Sequence, residues 1–227
     1  MPAPNPHFLL PTLNEETGLP RTIAAIRRSF PKAPILVVDG HSTDHTRAIA
    51  KRLGCRVLLQ SGRGKGNALI EALRALPAAA AVALLDADGS YDPADIKAML
   101  ARYRGRELML GNRFAAPTQG AFTGTNLLGN RLLNLVASVL FARRLQDMLT
   151  GIRLFPCNAV RKLGLTASNF EIETEMTLKA LKAGMPIIEV PCRYSTRAGV
   201  SKLSPAKDGF RIFRRILKER FSRPSAS

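Results

Sequence analysis

From His7 to Arg113 the chain alternates short apolar runs with segments of helical periodicity, and this alternation restricts the possible folds more than any other feature. "HFLLPT", "ILVVDG", "CRVLLQ", "AVALLDAD" and "ELMLGNR" read as strands. Helical segments lie between them: about Gly18 to Phe30, with Ile23, Ile26 and Phe30 on one face; "DHTRAIAKRLG", closed by Gly54; "GNALIEALRAL"; and "PADIKAMLARYR", opened by Pro93. Runs such as "ILVVDG" and the charge-free stretch from Ala78 to Leu85 have no polar face, so they belong to a sheet covered on both sides. Strands alternating with helices predict an α/β fold, a mostly parallel sheet with helices on both faces.

After Arg113 the pattern changes. A polar loop, "FAAPTQGAFTGT", leads to a long helix, "NLLGNRLLNLVASVLFARR", and then to a strand, helix and strand through "GIRLFP", "FEIETEMTLKALKAG" and "PIIEVPCRY". Neither a repeat nor a low-complexity linker interrupts the 227 residues, so one domain spanning 1–227 is expected. Residues from about 205 to 227 place Phe210, Ile212, Phe213, Ile216, Leu217 and Phe221 at helical spacing among lysines and arginines, the signature of a basic amphipathic helix. This helix and the one from Asn126 to Arg144 are the two candidates for lying in a membrane interface. Because the loops described below all precede it, the C-terminal helix is expected to be dispensable for ligand binding.

Lys and Arg number 34 against 17 Asp and Glu, a net charge of +17 that calls for an anionic partner. About half of the excess falls between Arg193 and Ser227, where the only acids are Asp208 and Glu219. Trp is absent and Tyr occurs three times, with no helix-turn-helix or RNA-binding signature, so nucleic acid is not an expected partner. An anionic membrane surface and a phosphorylated substrate remain. No stretch reaches the ~18 apolar residues of a spanning helix, and the first residues lack a signal-peptide pattern. Cys55, Cys157 and Cys192 are odd in number and lack metal-binding spacing, which suits a reducing compartment. The expected location is cytoplasmic, peripheral at the inner face of the cell membrane.

Polar loops follow each of the first five strands: "PTLNEE", "DGHSTD", "SGRGKG", "DADGS" and "GNR". Parallel strands deliver these loops to one edge of the sheet, where ligands of α/β folds bind. Asp86 and Asp88 repel unless a hard divalent cation lies between them; the alternative is a solvated turn bent by Gly89. "SGRGKGN" fits neither phosphate-loop nor dinucleotide spacing. Its glycines with Arg63 and Lys65 either face an anion or form a flexible basic turn.

"LPTLNEE", "VVDGHSTDHT", "GRGKGNAL", "LLDADGSYDP", "LGNRF", "DMLTGIRLF" and "YSTRAGVSKL" occur in the order found in family-2 glycosyltransferases. From about His7 to about Leu217 the chain resembles their dolichol-phosphate (polyprenol-phosphate) mannosyltransferase branch. The resemblance implies a GT-A (Rossmann-like) fold and a metal-dependent, inverting enzyme. That enzyme moves a hexose from a nucleotide diphosphate sugar to polyprenyl (dolichyl or undecaprenyl) phosphate with Mg²⁺ or Mn²⁺. It places Asp39 at the nucleobase, Asp86 near ribose and phosphates, and Asp88 with Ser90 at the metal. Pro11, Glu15 and Lys65 join the donor site, and Arg113, Arg131, Arg197 and Lys202 contact phosphate. Asp147 falls near the acceptor, as an organiser of arginines, because a phosphate acceptor arrives ionised and needs no base.

Two further points come with the resemblance. The family has an acidic residue near the active site where this chain has Glu173; by itself, the Glu171, Glu173, Glu175 alternation favours the positive end of a helix. Mannose-specific members often read "DDNSPDGT" where this chain reads "DGHSTDHT", so Gly40 moves the expectation toward UDP-glucose or UDP-N-acetylglucosamine without excluding GDP-mannose. Two alternatives stand beside this reading. One is a glycosyltransferase with a hydroxyl acceptor in cell-surface polysaccharide synthesis, which needs a general base; a chain without Trp lacks the QxxRW of processive synthases. The other is a non-catalytic basic protein that binds RNA or lipid. His7, His41 and His45 have no paired ligand spacing.

Overall fold

The computed structural model describes residues 5–115, 124–197, 202 and 204–222. Parts of "FAAPTQGAFTGT" and "YSTRAGVSKL", and the last residues of the expected C-terminal helix, lie outside the described residues. Seven strands form one sheet: β1 (His7–Thr12), β2 (Ile35–Asp39), β3 (Arg56–Leu59), β4 (Ala81–Leu84), β5 (Leu108–Asn112), β6 (Arg153–Pro156) and β7 (Ile187–Pro191). Their order is β3-β2-β1-β4-β6-β5-β7. Every pairing is parallel except those of β6, which runs antiparallel between β4 and β5. The expected sheet is therefore mostly parallel, and β6 is the exception that apolar content alone does not disclose. Running backwards, β6 begins at the edge where its neighbours end, which brings the turn before it to the β4 loop.

The helices are α1 (Gly18–Ser29), α2 (Thr46–Arg52), α3 (Lys65–Ala75), α4 (Ile96–Arg102), α5 (Gly124–Leu140), α6 (Cys157–Lys162), α7 (Ile172–Lys182) and α8 (Pro205–Phe221). They cover both faces, which is why the strands carry no polar side. Along β1, Phe8 and Leu10 pack with Ile23, Ile26 and Met99 from α1 and α4. Leu9, between them, packs on the other side with Leu69, Leu73 and Ile172 from α3 and α7. Pro93 opens a 3-10 turn, capped by the Asp92 side chain on Ala94 N–H, that leads into α4. The sequence reading did not separate α6, whose six residues are too few to display a 3.6-residue period.

The C-terminal helix departs from expectation. Ile212 and Ile216 of α8 are buried, at 5% and 0% exposure, in the same core cluster as α5 and α7 side chains. Arg215 reaches Glu175 of α7 at 3.1 Å and Glu219 at 3.3 Å. Lys182 donates to the Glu219 and Ser222 carbonyls, both at 2.8 Å, which satisfies the end of the helix. α8 is thus packed into the core; the large apolar side chains it leaves exposed are Phe210, Phe213 and Phe221. No described helix is long and apolar enough to cross a membrane.

Candidate active site

The strand order reverses between β1 and β4, so the loops leaving them diverge and open a crevice at the carboxyl edge of the sheet. A cavity of about 340 Å³ occupies it. Its walls are Pro11, Thr12 and Glu15 after β1, Gly40 after β2, Gln60 after β3, Gly64 and Lys65 at the start of α3, Asp86 to Asp88 after β4, and Asn169 and Phe170 before α7. Arg197 and Lys202 close it from the chain beyond β7.

Two glycines give the aspartates their room. A Cβ on Gly18 would lie 2.6 Å from Asp88 Cα, and one on Gly151 would lie 2.2 Å from Asp86 Oδ2. Asp88 Oδ1 accepts hydrogen bonds from Ser90 N–H (3.0 Å) and Ser90 Oγ (2.6 Å), while its Oδ2 is 3.3 Å from Arg197 Nη2. Ser90, expected at the metal, is 1% exposed and does not line the cavity; its hydroxyl holds the Asp88 carboxylate. Asp86 Oδ1 is 2.5 Å from Lys65 Nζ, which is also 2.5 Å from Glu173 Oε1. Burial opposes charge on Lys65, but the Asp86 and Glu173 carboxylates outweigh it and hold the ammonium well above the ordinary lysine range.

The glycine-rich turn before α3 has a structural use that neither expectation included. A Cβ on Gly64 or Gly66 would meet the Ser168 or Ala167 carbonyl at 2.3 or 2.0 Å, so these glycines admit the 167–169 backbone. Ser168 O accepts the N–H groups of Gly66 and Asn67 at 2.9 and 3.3 Å, leaving Lys65 to face the cavity. The β2 loop likewise supports the β1 loop. Ser42 Oγ, Thr46 Oγ1 and Asp44 Oδ2 accept from the N–H groups of Asn14, Glu15 and Glu16. Asp39, expected at the nucleobase, is fully buried and accepts from Ser42 N–H at 3.0 Å; its neighbour Gly40 lines the cavity.

Beyond β5, Arg113 and Asp147 form a buried pair. Arg113 donates Nε (2.8 Å) and Nη2 (2.7 Å) to the two Asp147 oxygens and its backbone N–H to Oδ2 (2.9 Å). Glu189 fixes this turn by accepting from the N–H groups of Gln146 and Asp147. Asp147 thus holds the Arg113 guanidinium at both of its oxygens. Arg131 is not brought to the donor cavity: it is exposed on α5 and lines a separate shallow cleft with Leu135, Val139, Arg143 and Arg144. Asn134 and Ala137 are buried on α5, Asn134 Oδ1 accepting from Met148 N–H at 2.9 Å, while the Arg131 side chain stays exposed. The chain after β7 is tied to the β4 loop by the tilted ring contact of Tyr91 and Tyr194, 5.0 Å between centroids, and by Ser195 N–H to Ser90 O at 2.9 Å.

Glu15 pairs with Lys202 and Arg197, Asp86 with Lys65, Asp88 with Arg197, Asp147 with Arg113, and Glu173 with Lys65. Burial raises the Glu15 carboxyl even against Lys202 and Arg197. Among the described residues no cluster of three or more His, Cys, Asp or Glu side chains stands ready to hold a metal. Asp88 offers one carboxylate, which suits an Mg²⁺-like ion that takes its other ligands from a diphosphate and water. Sequence reasoning missed Gln60, Asn169, Phe170 and the supporting glycines Gly18 and Gly151. Gly151 stands in a quoted motif and Gly18 at the start of the first helix, but the close approaches that require them come from chain far away in sequence.

This arrangement is that of a nucleotide-sugar-dependent transferase fold, and the chain belongs to glycosyl transferase family 2, which matches residues 8–164. It is 38% identical over 218 residues to glycosyltransferase AglJ of Haloferax volcanii, covering 94% of this chain and 71% of that one. It is 32% identical over 211 residues to a dolichyl-phosphate hexose transferase of the same organism, covering 91% and 90%. Among solved structures, glucosyl-3-phosphoglycerate synthase from Mycobacterium tuberculosis, in complex with Mn²⁺, uridine diphosphate and phosphoglyceric acid, aligns with a TM-score of 0.74. The alignment has 20% identity and covers 96% of this chain and 79% of that one. The fold is GT-A, as the sequence motifs implied.

Proposed function

We propose that this family-2 glycosyltransferase moves a hexose from a nucleotide diphosphate sugar to a polyprenyl phosphate in one in-line displacement with inversion. The observation that carries the reading is the pairing of every carboxylate around the cavity with a lysine or arginine. A hydroxyl acceptor requires a carboxylate or imidazole that can take its proton. A phosphate acceptor brings its own negative oxygen at neutral pH and requires only positioning and charge. The identity to a dolichyl-phosphate hexose transferase supports the same acceptor class.

In this reading Asp86 receives the ribose and diphosphate side of the donor and Asp88 holds the divalent ion. When bound, Mg²⁺ or Mn²⁺ neutralises charge that develops on the departing diphosphate. Arg197 and Lys202, which cover Glu15 and Asp88 here, turn to the diphosphate when the donor enters. Arg113, fixed by Asp147, presents positive charge beside the aspartates to the acceptor phosphate. Gly40 and Gln60 face the base, and the absence of a second acid after Asp39 inclines the donor toward UDP-sugars.

Membrane contact is proposed for α5 together with α8. Leu128, Leu132, Leu135 and Val139 form one stripe on α5 and are 57% to 71% exposed. Phe210 and Phe221 are exposed on α8, whose two acids, Asp208 and Glu219, are buried. Arg143, Arg144, Arg214 and Lys218 flank these side chains, so the face combines apolar and cationic groups, as at an anionic bilayer surface. The location is then peripheral, at the cytoplasmic face. The test of the donor site is Asp88→Asn: transfer falls by more than 100-fold while the melting temperature stays within a few degrees of wild type. Retained transfer would contradict the assignment of Asp88.

A further inference from the structure

Glu173 belongs to the paired acids of the site yet lines no part of the donor cavity. It is 3% exposed on the first turn of α7, with Oε1 on Lys65 Nζ and Oε2 buried without a hydrogen-bond partner. A carboxylate engaged by a buried ammonium and shut away from the cavity is badly placed to take a proton from an acceptor. Its reach into the cavity runs through Lys65, which lines the wall and touches Asp86 Oδ1 at 2.5 Å. The other Asp86 oxygen, Oδ2, lies against Gly151, whose missing side chain leaves it room. The Phe170 ring lies 5.9 Å from Lys65 Nζ, closing the side of the lysine that the carboxylates leave open.

We propose that Glu173 is a positioning residue for the nucleotide donor. It divides the hydrogen bonds of Lys65 between two carboxylates and so leaves Asp86 with an oxygen free for the donor. This inference rests on the reading of the cavity as a nucleotide-sugar site. Without the Glu173 charge, Lys65 turns wholly onto Asp86 and takes up the capacity the donor would use. Loss of the charge therefore weakens the donor complex, whereas loss of a general base would slow turnover and leave donor binding alone.

The experiment is calorimetric titration of UDP and of GDP, each with Mn²⁺, into wild type, Glu173→Gln, Lys65→Met and the double variant. Steady-state kinetics and melting temperatures accompany the titrations. For the nucleotide that wild type binds, Glu173→Gln is expected to raise Kd about tenfold and to raise donor KM in parallel, with kcat at saturating donor within about threefold of wild type. In the Lys65→Met background the same substitution changes Kd less than twofold. If either single variant is poorly folded, the comparison of the double variant with the better-folded single variant carries the test. Unchanged or tighter nucleotide binding by Glu173→Gln, additive effects in the double variant, or a fall in kcat without a change in Kd would each overturn the proposal. Failure of wild type to bind either nucleotide would overturn the cavity assignment along with it.

Discussion

A methyl group at residue 151 would lie 2.2 Å from Asp86 Oδ2, a separation no native side chain adopts. Gly151→Ala is therefore expected to displace the Asp86 carboxylate and raise the donor KM by at least tenfold, with a smaller effect on stability because the glycine sits at a turn. Steady-state kinetics over a donor series checks it. Asp147 makes the complementary prediction: Asp147→Asn removes the charge opposite Arg113, both residues being buried, and breaking a buried pair costs about 3 to 5 kcal/mol. Urea unfolding should show that loss as a lower midpoint at similar slope. At this scale Asp86, Asp88 and Lys65 were legible because charged residues in the loops after strands stand out, whereas Asp147 came only from the resemblance to the family. The sequence did not disclose what the charges touch. The Gly64–Lys65–Gly66 turn reads as an anion loop until the 167–169 backbone is placed against it, and that contact joins residues about 100 positions apart.

The α7 and α8 pair shows the same limit for elements. The apolar period of α8 was legible from Phe210 to Phe221, but a period cannot say whether it meets lipid or protein, and Ile212 and Ile216 meet protein. Truncation after Asp208 removes both, together with the Arg215–Glu175 pair. Burial of each isoleucine contributes ~1.5 to 3 kcal/mol, within a total of ~5 to 15. The truncated chain is expected to lose cooperative thermal unfolding by calorimetry, not merely membrane affinity. Burial alone would raise the Glu175 carboxyl; the hydrogen bonds from Lys179, Ala167 and Thr166 and the Arg215 charge hold it below the usual range. Its contribution to stability is therefore present above the ordinary glutamate pKa of about 4.3 and lost as pH falls through the lowered value. Acid unfolding of Glu175→Gln, followed by circular dichroism, should accordingly be less steep than that of wild type below about pH 4.5.

For the whole molecule, a net charge of +17 pointed to an anionic partner, and the alternation of strands and helices gave the layered fold. The antiparallel insertion of β6 was hidden, because a four-residue buried strand reads the same in either direction. The charge and the exposed stripe on α5 make one prediction about binding. Leu128→Gln, Leu132→Gln and Leu135→Gln together should release the protein from anionic vesicles in co-sedimentation while leaving nucleotide binding unchanged, since exposed substitutions alter stability by ~0.5 kcal/mol or less each. Residual binding should fade as added salt shortens the screening length.

The most direct measurement of the central claim follows the sugar. Purified protein is incubated with Mn²⁺, labelled UDP- or GDP-hexose and either dolichyl or undecaprenyl phosphate, and the lipid product is analysed for its linkage and anomeric configuration. The account predicts an acid-labile sugar phosphodiester of inverted configuration that forms only when the lipid phosphate is present. Sugar carried on a hydroxyl, or no lipid-linked sugar from any of these donors, would contradict it.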